Sequence, residues 1–330
     1  MSNNSDIKEN EIVRYDEGLM PVLLMDRTRS DESSVHNIIW ATDNYAQRGK
    51  GYQEWDEITV DAVTGKNGLV LQPRVNKSRS EQEHRSKDKG EVFTEAWLCN
   101  HQNNSIDAVW FGDVSPFNKE VPDGWITDLN PIVFPDLKGK TWKDYVRDTR
   151  LEIACGEAPY LVSRYNIITG EGIPVKDRIG LLDRKLRVVG ENVSDEQEWY
   201  RWAQEAYKSI YGYEWQGDSL VLARETLIYT FMDYFQSRFG RAPKKEQVLK
   251  IAEIVSWNLW QMDGTRAVIP GSCYNMQTRT FDIFGEPVEP YCRGCEMPDE
   301  KDAIRHHIGI YCKIMDWQKN TPFLFVEMLK

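Results

Sequence analysis

The period of the apolar positions changes along the chain, and those changes divide it. Short strand-like runs fall at 151–154, 210–214 and 258–262, and between them the apolar residues take up helical spacing. In the first interval Trp199, Trp202, Ala203, Ala206 and Ile210 share a face, and Ser194 with Gln197 three residues on reads as a capping box. In the second, Leu220, Leu227, Phe231 and Phe235 follow a cap at Asp218 and stop at Gly240 and Pro243; another helix is predicted over 244–255. Strands alternating with helices predict an α/β unit built on a parallel sheet.

The pattern ahead of that unit is looser. An apolar segment at 20–25 anchors a polar N-terminus, and 57–71 reads as a β-hairpin with Gly65 and Gly68 in its connection. Thr94 is placed to cap a helix with Trp97 and Leu98 inward. The stretch 110–140, rich in Pro, Gly, Asp and Asn, reads as a long connection. The expected division is therefore 1–145, an N-terminal α+β region with a basic loop, and 146–330, the α/β domain.

Composition sharpens this only in places. The 330 residues, 41% hydrophobic and 28% charged, are ordinary for a globular chain. No apolar run approaches the ~20 residues that span a bilayer, so no membrane partner is expected. Six cysteines are too few for a disulfide scaffold of this length, which favours reduced thiols and a cytoplasmic location. A formal net charge of −11 argues against a chain that coats nucleic acid unaided. Yet 74–89 holds Arg74, Lys77, Arg79, Arg85, Lys87 and Lys89 against three acids, either a patch that meets phosphates or a solvated loop.

Candidate chemistry sits where the strands end. Ala154, Cys155 and Gly156 form a glycine turn after the first strand, where backbone can approach a ligand closely. Glu214 closes the second strand and Asp263 follows the third. An adenosyl cofactor needs a carboxylate at the second strand for the ribose hydroxyls, and a polar group near the third for the adenine amino group. In this order the residues resemble the motifs of S-adenosylmethionine-dependent DNA adenine methyltransferases of restriction–modification systems. Gly212-Tyr-Glu214 with Leu222-Ala-Arg224 is similar to the second motif, and Ala154-Cys-Gly156 with Tyr160 to the first, with Glu152 for Asp and Ala158-Pro159 at the second glycine. Asn258 to Gly264 resembles the third, with Met262 for Gly, and Phe93-Thr94 the segment preceding the first, with Glu95 for Pro. The chain is similar to the small proteins known as restriction endonuclease subunit M, and the resemblance covers about 90–316.

The resemblance implies a Rossmann-like methyltransferase sheet and S-adenosylmethionine as cofactor. It places Phe93 and Thr94 near the methionine end, Glu152, Cys155, Gly156 and Tyr160 in the first motif, Glu214 on the ribose and Asp263 on adenine. Base methylation uses an Asn/Asp-Pro-Pro-aromatic turn after a fourth strand, which points to Asp316 with Trp317, to Asn320 with Phe323, or to neither. Only fourteen residues follow Asp316, so the sheet is completed by the N-terminal part, completed by a partner, or left partial. DNA, with a specificity or restriction subunit, is the implied partner. The alternative is a methyltransferase-like DNA- or partner-binding subunit that transfers nothing. A nuclease is disfavoured, since no acid-then-Glu-x-Lys arrangement is present to hold magnesium.

One further constellation is independent of the resemblance. Cys292 and Cys295 in Cys-x2-Cys spacing, followed by His306, His307 and Cys312, make a small knuckle insertion at 290–312 able to hold a structural zinc ion.

Overall fold

The computed structural model describes residues 9–88, 94–113, 115–274, 280–281, 287–288, 291–300 and 302–329. Helices α1 Glu9–Tyr15, α2 Leu19–Leu24, α3 Val60–Val63, α4 Arg79–Asp88 and α5 Ala96–Phe111 precede the hairpin β1 Asn118–Val121 and β2 Gly124–Thr127. The chain continues through α6 Trp142–Arg147, β3 Arg150–Glu152, α7 Leu181–Asn192, α8 Glu196–Lys208, β4 Ile210–Glu214, α9 Gly217–Phe239, α10 Lys245–Asn258 and β5 Leu259–Gln261. The C-terminal part holds β6 Thr280–Phe281, β7 Pro287–Val288, α11 Arg293–Glu296, β8 Lys313–Asp316 and β9 Thr321–Leu324.

The alternation expected after 145 does form a mixed α/β structure around a parallel sheet in the order β3-β4-β5. Glu152 lies opposite Gly212, and Glu214 opposite Gln261, so all three carboxyl ends open on one edge. Among the described residues this sheet has three strands. The N-terminal part adds none to it. Residues 38–41 instead run across its carboxyl edge, where the Gln261 amide bonds both backbone groups of Ile39 (2.9 and 2.8 Å) and Gly217 N–H donates to Trp40 O. A Cβ on Gly217 would stand 1.9 Å from the Ile39 carbonyl, so this crossing demands glycine.

Several local expectations change. Asp195, not Ser194, caps α8, its carboxylate accepting from Glu198 N–H at 2.9 Å. Gln216 is the residue at the N-cap of α9, because the Asp218 carboxylate is buried against cations instead. No hairpin forms over 57–71: Thr59 accepts from Ala62 N–H and starts α3. The 110–140 connection contains the β1–β2 hairpin, with Asp123 left-handed in its turn. Along α5 the inward face is polar. Asn100, Asn103, Asn104 and Asp107 are buried while Trp97 and Leu98 are half-exposed, because that face serves the buried Arg184 guanidinium.

One apolar cluster extends from Ile12 to Leu259 and so crosses the expected division at 145. A smaller cluster joins Trp260 of β5 to Met262, Ile269, Ile314 and Phe325 from the chain that follows it. No helix among the described residues is long and apolar enough to cross a membrane.

Candidate functional site

β3 ends at Glu152, and the chain bends at once. Ala154, Gly156 and Ala158 all adopt positive φ (47°, 52° and 62°), so alanine holds a glycine-like conformation where the resemblance expects the second glycine. A left-handed alanine costs roughly 1–2 kcal/mol, and such strain collects where surroundings impose it. Here the surroundings are β4: Cys155 N–H donates to Tyr213 O, and Gly212 leaves room for the Cys155 sulfur, 3.2 Å from where a Cβ would sit.

The bend brings the expected residues together. Gly156 N–H donates to Glu214 Oε2 at 2.8 Å, and Glu214 Oε1 accepts from Trp215 and Gln216 N–H at 2.9 and 3.1 Å. Most of the roughly four acceptor positions of that carboxylate are thus taken by its own chain. Glu152 accepts from Tyr160 and Leu161 N–H, and burial pushes its carboxyl up to about 8. Burial, then the Glu152 and Glu214 charges, raise the Cys155 thiol well above the ordinary range. Thr94 lies near the Tyr160 phenol but does not cap α5, whose N-cap is Glu95; Phe93 lies outside the described residues. Asp263 is buried one strand further along, its Oδ1 held by Thr265 N–H and hydroxyl. Tyr213 stands between Glu214 and the Asp263–Gly264 turn; burial, then Cys155, Glu214 and Asp263, raise its phenol.

The residues expected to act on a base lie elsewhere. β8 runs against the direction of β5. Cys312, at its start, reaches the Gln261 carbonyl, while Trp317, past its end, donates to Asn258 Oδ1 at 2.8 Å, before β5 begins. Asp316, Trp317 and Phe323 therefore line a cleft of about 650 Å³ that also takes in Thr149, Lys208 and Ser209, all preceding strands of the sheet. Strands of three to five residues put roughly 10–15 Å between the two edges. Asp316 closes its own hairpin turn, accepting from Gln318 and Lys319 N–H, and those of Lys319 foremost hold its carboxyl below the usual range. Asn320 occupies the left-handed position of the same turn and is exposed. Phe323 packs against the smaller apolar cluster.

The Cys/His expectation is met in part, with a different ligand set. Cys273, Cys292, Cys295 and His307 place one donor atom each within 4.8 Å of all the others. His307 Nδ1 lies 3.7, 3.5 and 3.4 Å from the sulfurs of Cys273, Cys292 and Cys295. A tetrahedral ion with bonds of ~2.3 Å to sulfur and ~2.0 Å to nitrogen sets those edges at roughly 3.5 Å. The cluster could hold a metal ion such as zinc. Two glycines make room for it: a Cβ on Gly294 would meet the His307 ring at 2.8 Å, and one on Gly309 the Cys273 sulfur at 2.9 Å. Burial and then Arg266 lower His307, which keeps the imidazole neutral as a ligand must be. At Cys292 burial acts upward, but N–H groups of Ile308 and Cys295 outweigh it and hold the thiol below its usual value. His306 is exposed and Cys312 is buried against the Gln261 carbonyl, so neither belongs to the set. Cys273 was missed. Its only signal is the spacing Cys-x18-Cys-x2-Cys-x11-His, too long a first gap to mark a site without the fold.

No protein-family model, curated protein or solved structure matches the chain.

Proposed function

We propose that this chain is a methyltransferase-like subunit of a DNA modification complex, stapled by zinc, that binds DNA or a partner subunit and does not itself transfer methyl groups. The observation that carries this reading is the separation of the two halves such a reaction needs. The glycine turn, Glu214 and Asp263 share the carboxyl edge, where open α/β sheets bind ligands, while Asp316, Trp317 and Phe323 face the amino-edge cleft. Among the described residues, those expected to position a base, Asp316, Trp317, Asn320 and Phe323, do not stand at the edge where a methyl donor would bind. The chain's own N–H groups already occupy the Glu214 carboxylate, and 38–41 crosses the same edge. The motif order, the parallel sheet and the turn at 154–158 support descent from a Rossmann-like methyltransferase sheet. The ion is assigned as zinc because three thiolates and one imidazole at tetrahedral spacing are soft donors that fill every corner and leave no position for a reacting water.

The test is transfer of tritiated methyl from S-adenosylmethionine to DNA by the purified chain, alone and with a specificity or restriction subunit. The expected result is no incorporation by the chain alone. Incorporation that Asp316→Ala or Asn320→Ala abolishes would overturn this reading in favour of an active adenine-N6 methyltransferase. A calorimetric titration with S-adenosylmethionine, wild type against Glu214→Ala, reports separately whether the carboxyl edge still holds the cofactor.

A further inference from the structure

The basic segment is not a solvated loop over its described length. Arg74 N–H donates to Glu157 Oε1 at 2.7 Å, which seats the segment over the turn after β3. Arg85 is fully buried and reaches both oxygens of Asp218, at 2.7 and 3.2 Å, and the Tyr45 hydroxyl donates to the same carboxylate at 2.8 Å. Burial acts to raise the Asp218 carboxyl, but Arg85 first, then Lys77, outweigh it and hold the group well below the usual carboxylate range. One guanidinium thus already balances that charge.

Lys77 is left over. Its side chain is 3% exposed, and its ammonium stands 3.6 Å from Asp218 Oδ2 without a hydrogen-bond acceptor. A second buried donor nearby, Asn44 Nδ2, likewise has no acceptor. Both residues line one recess of about 500 Å³ between the turn 43–48 and the segment 69–81, together with Tyr45, Gln47 and Arg48. Asp43 and Glu81 line it too, so the recess has no large net charge; the two orphaned donors set its preference. A buried ammonium with no hydrogen bond is costly, and two donors without acceptors on residues that line one recess call for a ligand with several acceptors.

We propose that this recess binds the phosphate group of a small ligand, held by the Lys77 ammonium and the Asn44 amide, with Arg48 as a third donor. The Lys77 ammonium is too deep for the backbone of a DNA duplex to reach. This site is separate from the Gly156–Glu214 edge and does not depend on how that edge functions.

Inorganic phosphate titrated calorimetrically into the full chain, in buffer free of other oxyanions, tests the proposal. Binding is expected in the wild type, at least tenfold weaker in Lys77→Met, and several-fold weaker in Asn44→Ala. Without phosphate, Lys77→Met is expected to melt no lower than the wild type, since a charge without hydrogen bonds is gone. Absent phosphate binding, or equal binding by Lys77→Met, would overturn the site. So would unfolding of Lys77→Met, which would make the ion pair with Asp218 the reason for the ammonium. Acetate binding as tightly as phosphate, or displacement of phosphate by a short DNA duplex, would overturn the assignment of the ligand.

Discussion

Single side chains decide the two most direct tests. The cluster that could hold a metal takes in Cys273 and leaves Cys312 bonded to a carbonyl, although both are buried thiols. Cys273→Ser is therefore expected to lower zinc content by elemental analysis from about one ion per chain to well below that, a four-ligand site having lost a corner. Cys312→Ser should keep its zinc; loss in Cys312→Ser with retention in Cys273→Ser would restore the set expected from spacing. Glu152 gives a prediction in pH. Its carboxyl has an ordinary value of 4.5 and is raised to about 8 by burial, so between these values the folded chain holds a proton that the unfolded chain has lost. This contribution is full below pH 4.5, declines as pH climbs to 8, and changes no further above it, by on the order of a few kcal/mol in all. Glu152→Gln keeps one of the two oxygens that accept from the Tyr160 and Leu161 N–H groups, a cost independent of pH, and has no proton to lose. Its melting temperature relative to the wild type should rise from pH 5 to pH 8, and an offset independent of pH would contradict the assignment.

At the scale of elements, the helices around the parallel sheet are joined by cations that serve carbonyls. Arg224, in the middle of α9, is fully buried and donates to Leu23 O and Met25 O at the end of α2 and to Ser256 O and Leu259 O at the end of α10. It satisfies orphan carbonyls at two helix ends where the dipoles favour positive charge, and burial pushes the guanidinium down to about 9. Arg224→Met should cost several kcal/mol in urea unfolding, at ~1–3 kcal/mol for each buried carbonyl left without a donor. Arg224→Lys should recover little, since one ammonium cannot span both helix ends. A loss below about 1 kcal/mol in Arg224→Met would show that the carbonyls find other donors. The resemblance marks Leu222-Ala-Arg224 as a motif, and here the arginine has a structural role that motif matching alone does not explain.

For the molecule as a whole, the large cluster ends at Leu259, and the chain beyond β5 rests on smaller clusters and the Cys273/Cys292/Cys295/His307 group. Chelation is expected to loosen 268–274 and 302–312 while α9 and α10 stay closed. Hydrogen exchange with and without chelator checks this: faster exchange confined to those C-terminal segments is the expected pattern, and uniform protection would mean the thiol cluster folds without an ion. The same layout separates the amino-edge cleft from the carboxyl edge. β8 reverses direction across the sheet instead of joining it as a parallel fourth strand, so Asp316 arrives at the wrong end.

Local periodicity was enough to determine the three strands and the helices α8, α9 and α10, while α7 between β3 and β4 was not expected; the order of the strand-end residues brought Gly156 to Glu214, because the carboxyl ends of a parallel sheet share an edge. The Cys-x2-Cys pair was legible for a similar reason: its geometry is set within four residues. Tertiary structure alone decided the rest. Whether Cys273 or Cys312 faced the histidine, whether Lys77 and Arg85 met solvent or Asp218, and which edge received Asp316 all turn on contacts between segments far apart in the chain. No spacing rule encodes a partner that only packing brings near.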